Sequence, residues 1–136
     1  MRKKFVREKY ASLGKGENND CAVRATAIAL GLEYDHVHAV FAAHGRKPGR
    51  RTKRHVSAAV FAELFPCIAR EFAIKDANRF QTLAQFRKGH KTGRFIVFVR
   101  GHALALVNGT VHDWTPGPRR RVQMFWNVSF FSKGGE

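Results

Sequence analysis

The segment Cys21-Ala-Val-Arg-Ala-Thr-Ala-Ile-Ala-Leu30 is apolar on nearly every side of a helix, and Gly31 follows it. A helix with that pattern lies inside a domain, because only an interior offers apolar neighbours all round. Glycine is the common residue just past a helix end. Asn18, Asn19 and Asp20 precede the segment as a cluster of N-capping residue types. A second helix is predicted over Tyr34–His44, with one apolar stripe at Val37, Val40 and Phe41 and Gly45 after it. A third opens at Thr52 or Lys53 and carries Val56, Val60, Phe61 and Leu64 before Pro66 stops it. A fourth is expected over Asn78–Lys88, with Phe80, Leu83 and Phe86 at helical spacing and Gly89 closing it.

The period then changes. Cys67–Ile74 reads as a short strand, and Phe95-Ile-Val-Phe-Val99 is a continuous β-branched and aromatic run, as in a buried strand. After Gly101 come His102–Val107, the pair Asn108-Gly109, and Thr110–Trp114. Asn-Gly between two such runs is the strongest signal for a two-residue hairpin turn. Thr115–Pro118 is a loop, and Arg119–Trp126 continues as a further strand, with Phe125, Trp126, Phe130 and Phe131 read as core-facing rather than base-stacking. Residues 1–17 form a basic irregular arm with a short extended piece at Lys4–Tyr10, and 132–136 a frayed tail. Helices first and strands afterwards predict an α+β fold, the N-terminal helices packed on a small antiparallel sheet. At 136 residues, the whole of 1–136 is one domain.

Charge adds a partner class. Lys and Arg outnumber Asp and Glu 25 to 10, a formal net charge of +15, so contact with nucleic acid or an acidic protein is expected. The basic stretches are Arg46, Lys47, Arg50, Arg51 and Arg54, around Pro48 and Gly49, and Arg119–Arg121. No apolar run approaches the roughly 18 residues of a membrane span, and no signal-type apolar region follows the basic start. Two cysteines, Cys21 and Cys67, make no disulfide framework and fit a reducing, cytoplasmic setting. There is no paired CxxC and no HExxH, and His36, His38, His44 and His55 read as solvated helix residues, so neither metal nor cofactor is expected.

The hairpin brings chemistry together. With the turn at Asn108-Gly109, Val107 faces Thr110, Leu104 faces Asp113 and His102 faces Thr115. Alternation puts His102, Leu104 and Leu106 on one side of the sheet with Val111, Asp113 and Thr115, while His112 points to the other. His102 and Asp113 are therefore diagonal neighbours. Cys21 occupies the first turn of the internal helix, where the positive helix end favours a thiolate. A cysteine there, near a histidine oriented by an acid, is the arrangement nucleophilic catalysis needs. The Cys21 backbone N–H would point at the oxyanion, with Asn18 or Asn19 as a second donor. Arg24, one turn on, either faces the thiolate or pairs with Asp20 or Glu33. Cys67 reads as a plain buried residue.

Asn19-Asp20-Cys21-Ala-Val-Arg-Ala25, together with Gly93-Arg-Phe-Ile-Val-Phe-Val-Arg-Gly-His102-Ala-Leu-Ala-Leu-Val-Asn-Gly-Thr-Val-His-Asp113, resembles small phage and bacterial proteins of the papain-like cysteine peptidase superfamily. It is also similar to the peptidase domains that trim bacteriocin leaders, where an Asp-Cys pair opens the helix. The order of elements matches over roughly residues 17–115. The resemblance implies a papain-like fold, Cys21 as nucleophile, His102 as base and Asp113 as the orienting residue. It implies hydrolysis of a peptide, isopeptide or related amide bond, and a phage-related protein in a bacterial cell. Papain-like enzymes carry a Gln oxyanion donor about six residues before the cysteine; that position is Lys15 here. The alternative is a non-catalytic basic module on the same scaffold, binding nucleic acid or an acidic protein.

Overall fold

The computed structural model describes residues 5–7, 19–64, 72–74, 81–113 and 117–129. In chain order the elements are β1 (Phe5–Arg7), α1 (Cys21–Leu30), α2 (Tyr34–Ala43), α3 (Arg54–Leu64), β2 (Phe72–Ile74), α4 (Leu83–Gly89), β3 (Arg94–Val99), β4 (His102–Val107), β5 (Thr110–Asp113) and β6 (Val122–Asn127). The strands form one sheet in the order β1-β5-β4-β3-β6-β2. This is the α+β class expected from helices followed by strands. Among the described residues, no helix is long and apolar enough to cross a membrane.

The hairpin register is the one set by Asn108-Gly109: Val107 pairs Thr110, Leu106 pairs Val111 and Ala105 pairs His112. Asn108 at φ 49 and Gly109 at φ 83 adopt the two left-handed conformations of a type I′ turn. The Asn108 side chain accepts from the Gly93 N–H at 3.0 Å, tying the turn to the start of β3.

The sheet is not wholly antiparallel as expected. β1 pairs β5 in parallel, Phe5 opposite Val111 and Val6 opposite His112. Short turns dictate the alternating directions of β3, β4 and β5. β1 comes from before the helices, and a parallel pair requires a long crossover, which the intervening helical layer supplies.

α1, α2 and α3 cover one face, burying Val23, Ala27, Leu30, Val37, Phe41, Val60 and Phe61 against Ile96, Ala103, Ala105 and Trp126. Burial of a Phe or Val side chain is worth about 1.5–3 kcal/mol. Phe61 meets Trp126 edge-on at 4.9 Å, so Trp126 is a core residue. The Thr26 hydroxyl, fully buried in α1, donates to the Ala22 carbonyl at 2.7 Å, so this polar side chain is satisfied inside the helix. α4 lies on the opposite face, with Leu83 and Phe86 against Phe95, Val97, Leu104, Leu106, Val111 and Val122, and with Phe125 packed at its edge.

α4 begins at Leu83, not at Asn78. Gln81 is held by the sheet, its carbonyl accepting from Val122 N–H at 2.8 Å. Thr82 and Gln85 then form a capping box that starts the helix. The expected Phe80 position lies outside the described residues, as do Cys67, Trp114 and Thr115, Phe130 and Phe131, most of the basic arm, and the tail.

Candidate functional site

α1 lies along β4 and β3. Its first residue, Cys21, is half-buried. His102 is the first residue of β4 and Asp113 the last of β5, so both stand at the same end of the sheet. Asp113 accepts from His102 Nε2 through both carboxylate oxygens, at 2.7 and 2.9 Å. The side chain of His102 hydrogen-bonds Cys21, and the Ala103 backbone N–H donates to the same sulfur. With Nε2 held by Asp113, Nδ1 is the ring atom left to face the thiol.

Alternation alone does not lead to this contact. Ala103 and Ala105 pack under α1, whereas Leu104 and Leu106 pack under α4. His102, two residues before Leu104, belongs by alternation to the α4 side. It meets Cys21 from the strand's first position, at the edge of the sheet's end. His112 is on the α1 side instead and shares a small recess with Cys21 and Asp113.

Electrostatics follow from these contacts. Burial pushes the Cys21 thiol up, but the hydrogen bond and charge of His102 and the Ala103 N–H outweigh it and hold the thiol below its ordinary value. Burial pushes His102 down; its bonds to Asp113 and Cys21 prevail, and the imidazole is pushed up to about 9. Both shifts favour a thiolate beside an imidazolium. Asp113 is also approached by Arg120, whose Nη1 lies 3.6 Å from Oδ2.

Asp20 occupies the N-cap position of α1 without capping it through its side chain. Its carboxylate accepts from Tyr34 Oη at 2.7 Å and from Arg24 Nη2 at 3.3 Å. Asp20 and Arg24 are both buried, at 1% and 3% exposure. Arg24 therefore pairs with Asp20, the second of the two roles the sequence left open. Tyr34, reaching back from α2, escapes a sequence reading, since nothing local marks its hydroxyl as the partner of a residue in another element. The consequence falls on Cys21. The first N–H groups of a helix have no intrahelical acceptor, and here no Asp20 oxygen covers them.

Of the expected side-chain oxyanion donors, Asn18 lies outside the described residues. Asn19 donates from Nδ2 to the Gly49 carbonyl at 3.0 Å, so its amide anchors the basic loop. In that loop Arg46 is not an exposed cation: it is 5% exposed and braces the loop through Asn19 O at 3.4 Å and His38 Nε2 at 3.5 Å. Lys47, Arg50 and Arg51 are exposed and line a groove of about 630 Å³ with Arg46 and Lys53. Arg54, also exposed, donates to Gln123 Oε1 at 3.5 Å, joining α3 to β6.

A second groove, of about 520 Å³, opens on His102 itself and is lined by Arg100, Gly101, Arg120, Arg121 and Gln123. Gln123 reaches it through a break in register: Phe98 pairs Met124 while Val99 pairs Val122, so Gln123 is an extra residue on β6. Such bulges re-aim a side chain. The run Arg119–Arg121 is visible in the sequence as charge, but its place beside His102 is not. Among the described residues, no group of three His, Cys, Asp or Glu side chains is placed to hold a metal ion. Comparisons with protein-family models, with curated proteins and with solved structures found no match to this chain.

Proposed function

We propose that the chain is a papain-like cysteine hydrolase that cleaves a peptide, isopeptide or related amide bond, in a phage-related and cytoplasmic setting. The observation that carries this reading is the relay Cys21–His102–Asp113, with the thiol lowered and the imidazole raised to about 9. The Cys21 sulfur attacks the carbonyl carbon, and the carbonyl π pair moves to oxygen. The Cys21 backbone N–H at the start of α1 faces that oxyanion. As the tetrahedral adduct collapses, the C–N bond breaks and the imidazolium proton passes to the leaving amine. The neutral imidazole then removes a proton from water, whose oxygen attacks the thioester; the carboxylic acid leaves and the Cys21 thiolate and His102 imidazolium are restored. Asp113 holds the ring and its tautomer throughout. No cofactor enters these steps.

The test is the pH dependence of iodoacetamide alkylation at Cys21, read by peptide mass spectrometry in wild type and His102→Ala. The expected result is fast alkylation well below the ordinary thiol pKa of about 8.5, lost in His102→Ala. An ordinary thiol profile in both proteins removes the reading.

The basic grooves favour a second reading, a non-catalytic module on the same scaffold contacting nucleic acid or an acidic protein. Such binding weakens steeply with salt and survives Cys21→Ala, whereas amide hydrolysis does not.

A further inference from the structure

The groove beside His102 has a one-sided chemistry. Its charged walls are Arg100, Arg120 and Arg121, and among the described residues no acidic side chain lines it. Gln123, turned in by the bulge, has its oxygen engaged by Arg54 at 3.5 Å, which leaves the amide N–H groups to act as donors. Arg120 is paired with Asp113 and lies close over a glycine. Its Nη1 lies 3.6 Å from Asp113 Oδ2. Its side-chain end lies over Gly117, where a Cβ would sit 2.9 Å from Nε and where φ is +44, so a side chain at that position would require the Arg120 end to shift. The volume, about 520 Å³, falls within the range of small-ligand sites. Guanidinium groups match the two oxygens of a carboxylate.

Position makes this a statement about substrate. His102 gives its proton to the leaving amine, so the leaving half of the substrate must lie on the His102 side of the thiol. The groove with His102 in its wall is on that side. We infer that this groove is a carboxylate subsite: the substrate is an acidic peptide, with Asp or Glu within the first residues after the cleaved bond, held by Arg100, Arg120 and Arg121. The inference rests on the hydrolase reading for its direction along the substrate, but not for its charge.

Two measurements test it, and they fail separately from the hydrolase reading. The first profiles cleavage of a mixed peptide library by mass spectrometry. Asp and Glu are expected to be enriched after the cut and not before it, and the enrichment is expected to collapse in R100Q/R121Q, both exposed positions. Cleavage without that enrichment, or enrichment that survives the double substitution, overturns the subsite while leaving the hydrolase intact.

The second needs no turnover. Cys21 is alkylated with iodoacetate, an anion, and with iodoacetamide, its neutral counterpart, and the rate ratio is taken. A cationic cleft raises local anion concentration by about tenfold or more. The iodoacetate-to-iodoacetamide ratio at Cys21 is therefore expected to fall about tenfold in R100Q/R121Q, and to fall in wild type as salt rises to about 0.5 M. An unchanged ratio under both treatments overturns the subsite even if no peptide is cleaved. Poly-glutamate is expected to protect Cys21 from iodoacetamide. Protection by duplex DNA and not by poly-glutamate overturns the acidic-peptide assignment in favour of nucleic acid.

Discussion

α1 and α4 begin on short polar side chains at the same helix position, Asp20 and Thr82. At α4 the Thr82 hydroxyl accepts from the Gln85 N–H at 3.2 Å, and Gln85 Oε1 accepts from the Thr82 N–H at 3.0 Å. The next donors, Leu83 and Ala84 N–H, are taken by the carbonyls of Arg120 at 2.7 Å and Pro118 at 3.1 Å. That helix start is closed. At α1 the Asp20 carboxylate turns to Tyr34 and Arg24, and the side-chain cap is absent. One start satisfies its donors to anchor α4 on the sheet. The other leaves the positive helix end facing Cys21, the thiol that His102 and Ala103 also draw towards the charged form. A helix N-terminus is thus closed, or left facing a thiol, according to where its cap side chain is sent.

Substitutions at the two starts should separate these uses. The largest effect is expected at His102→Ala, which removes the proton carrier of the proposed hydrolase: its peptide turnover should drop by about 10²–10⁴-fold, followed by product mass spectrometry. Full turnover in that variant would place the chemistry elsewhere. Asp20→Ala breaks a buried ion pair and should lower unfolding free energy by about 3–5 kcal/mol in urea titration. Tyr34→Phe removes only one partner of that carboxylate and should cost about 1–3 kcal/mol by the same titration. Thr82→Ala removes a cap from the closed start and should cost about 1 kcal/mol, with Cys21 alkylation unchanged. A change in Cys21 reactivity there would mean the two helix starts are not independent.

The smallest effect concerns pH. Folding raises His102 from about 6.5 in the open chain to about 9, so its contribution is fully present below pH 6.5 and lost as pH rises through about 9. Folding lowers Cys21, so its contribution is present above the open-chain value of about 8.5 and lost as pH falls through the folded value. One group gains a proton on folding and the other loses one, and in wild type the two slopes oppose each other wherever the two windows overlap, below the open-chain thiol value of about 8.5. Cys21→Ser removes the opposing slope and keeps the part of the His102 shift that Asp113 supplies. Its urea midpoint should fall more steeply than wild type as pH rises above about 6.5. Identical slopes would break the coupling between the two residues.

Local physics made part of this molecule legible from its residues. The all-round apolar run 21–30 could only be an internal helix, and Asn108-Gly109 admits one register, which sets His102 and Asp113 on one side of the sheet. The capping box at Thr82 and Gln85 is equally local, and it sets the start of α4 at Leu83. Other features depended on partners distant in the chain. The direction of β1, the turning of Asp20 to Tyr34, the burial of Arg46 against Asn19 and His38, and the gathering of Arg100, Arg120 and Arg121 around His102 have no local signature. Periodicity and turn chemistry report on neighbours within a few residues. The address of a charged side chain is decided only when the folded sheet and helices bring its partner, or its groove, within reach.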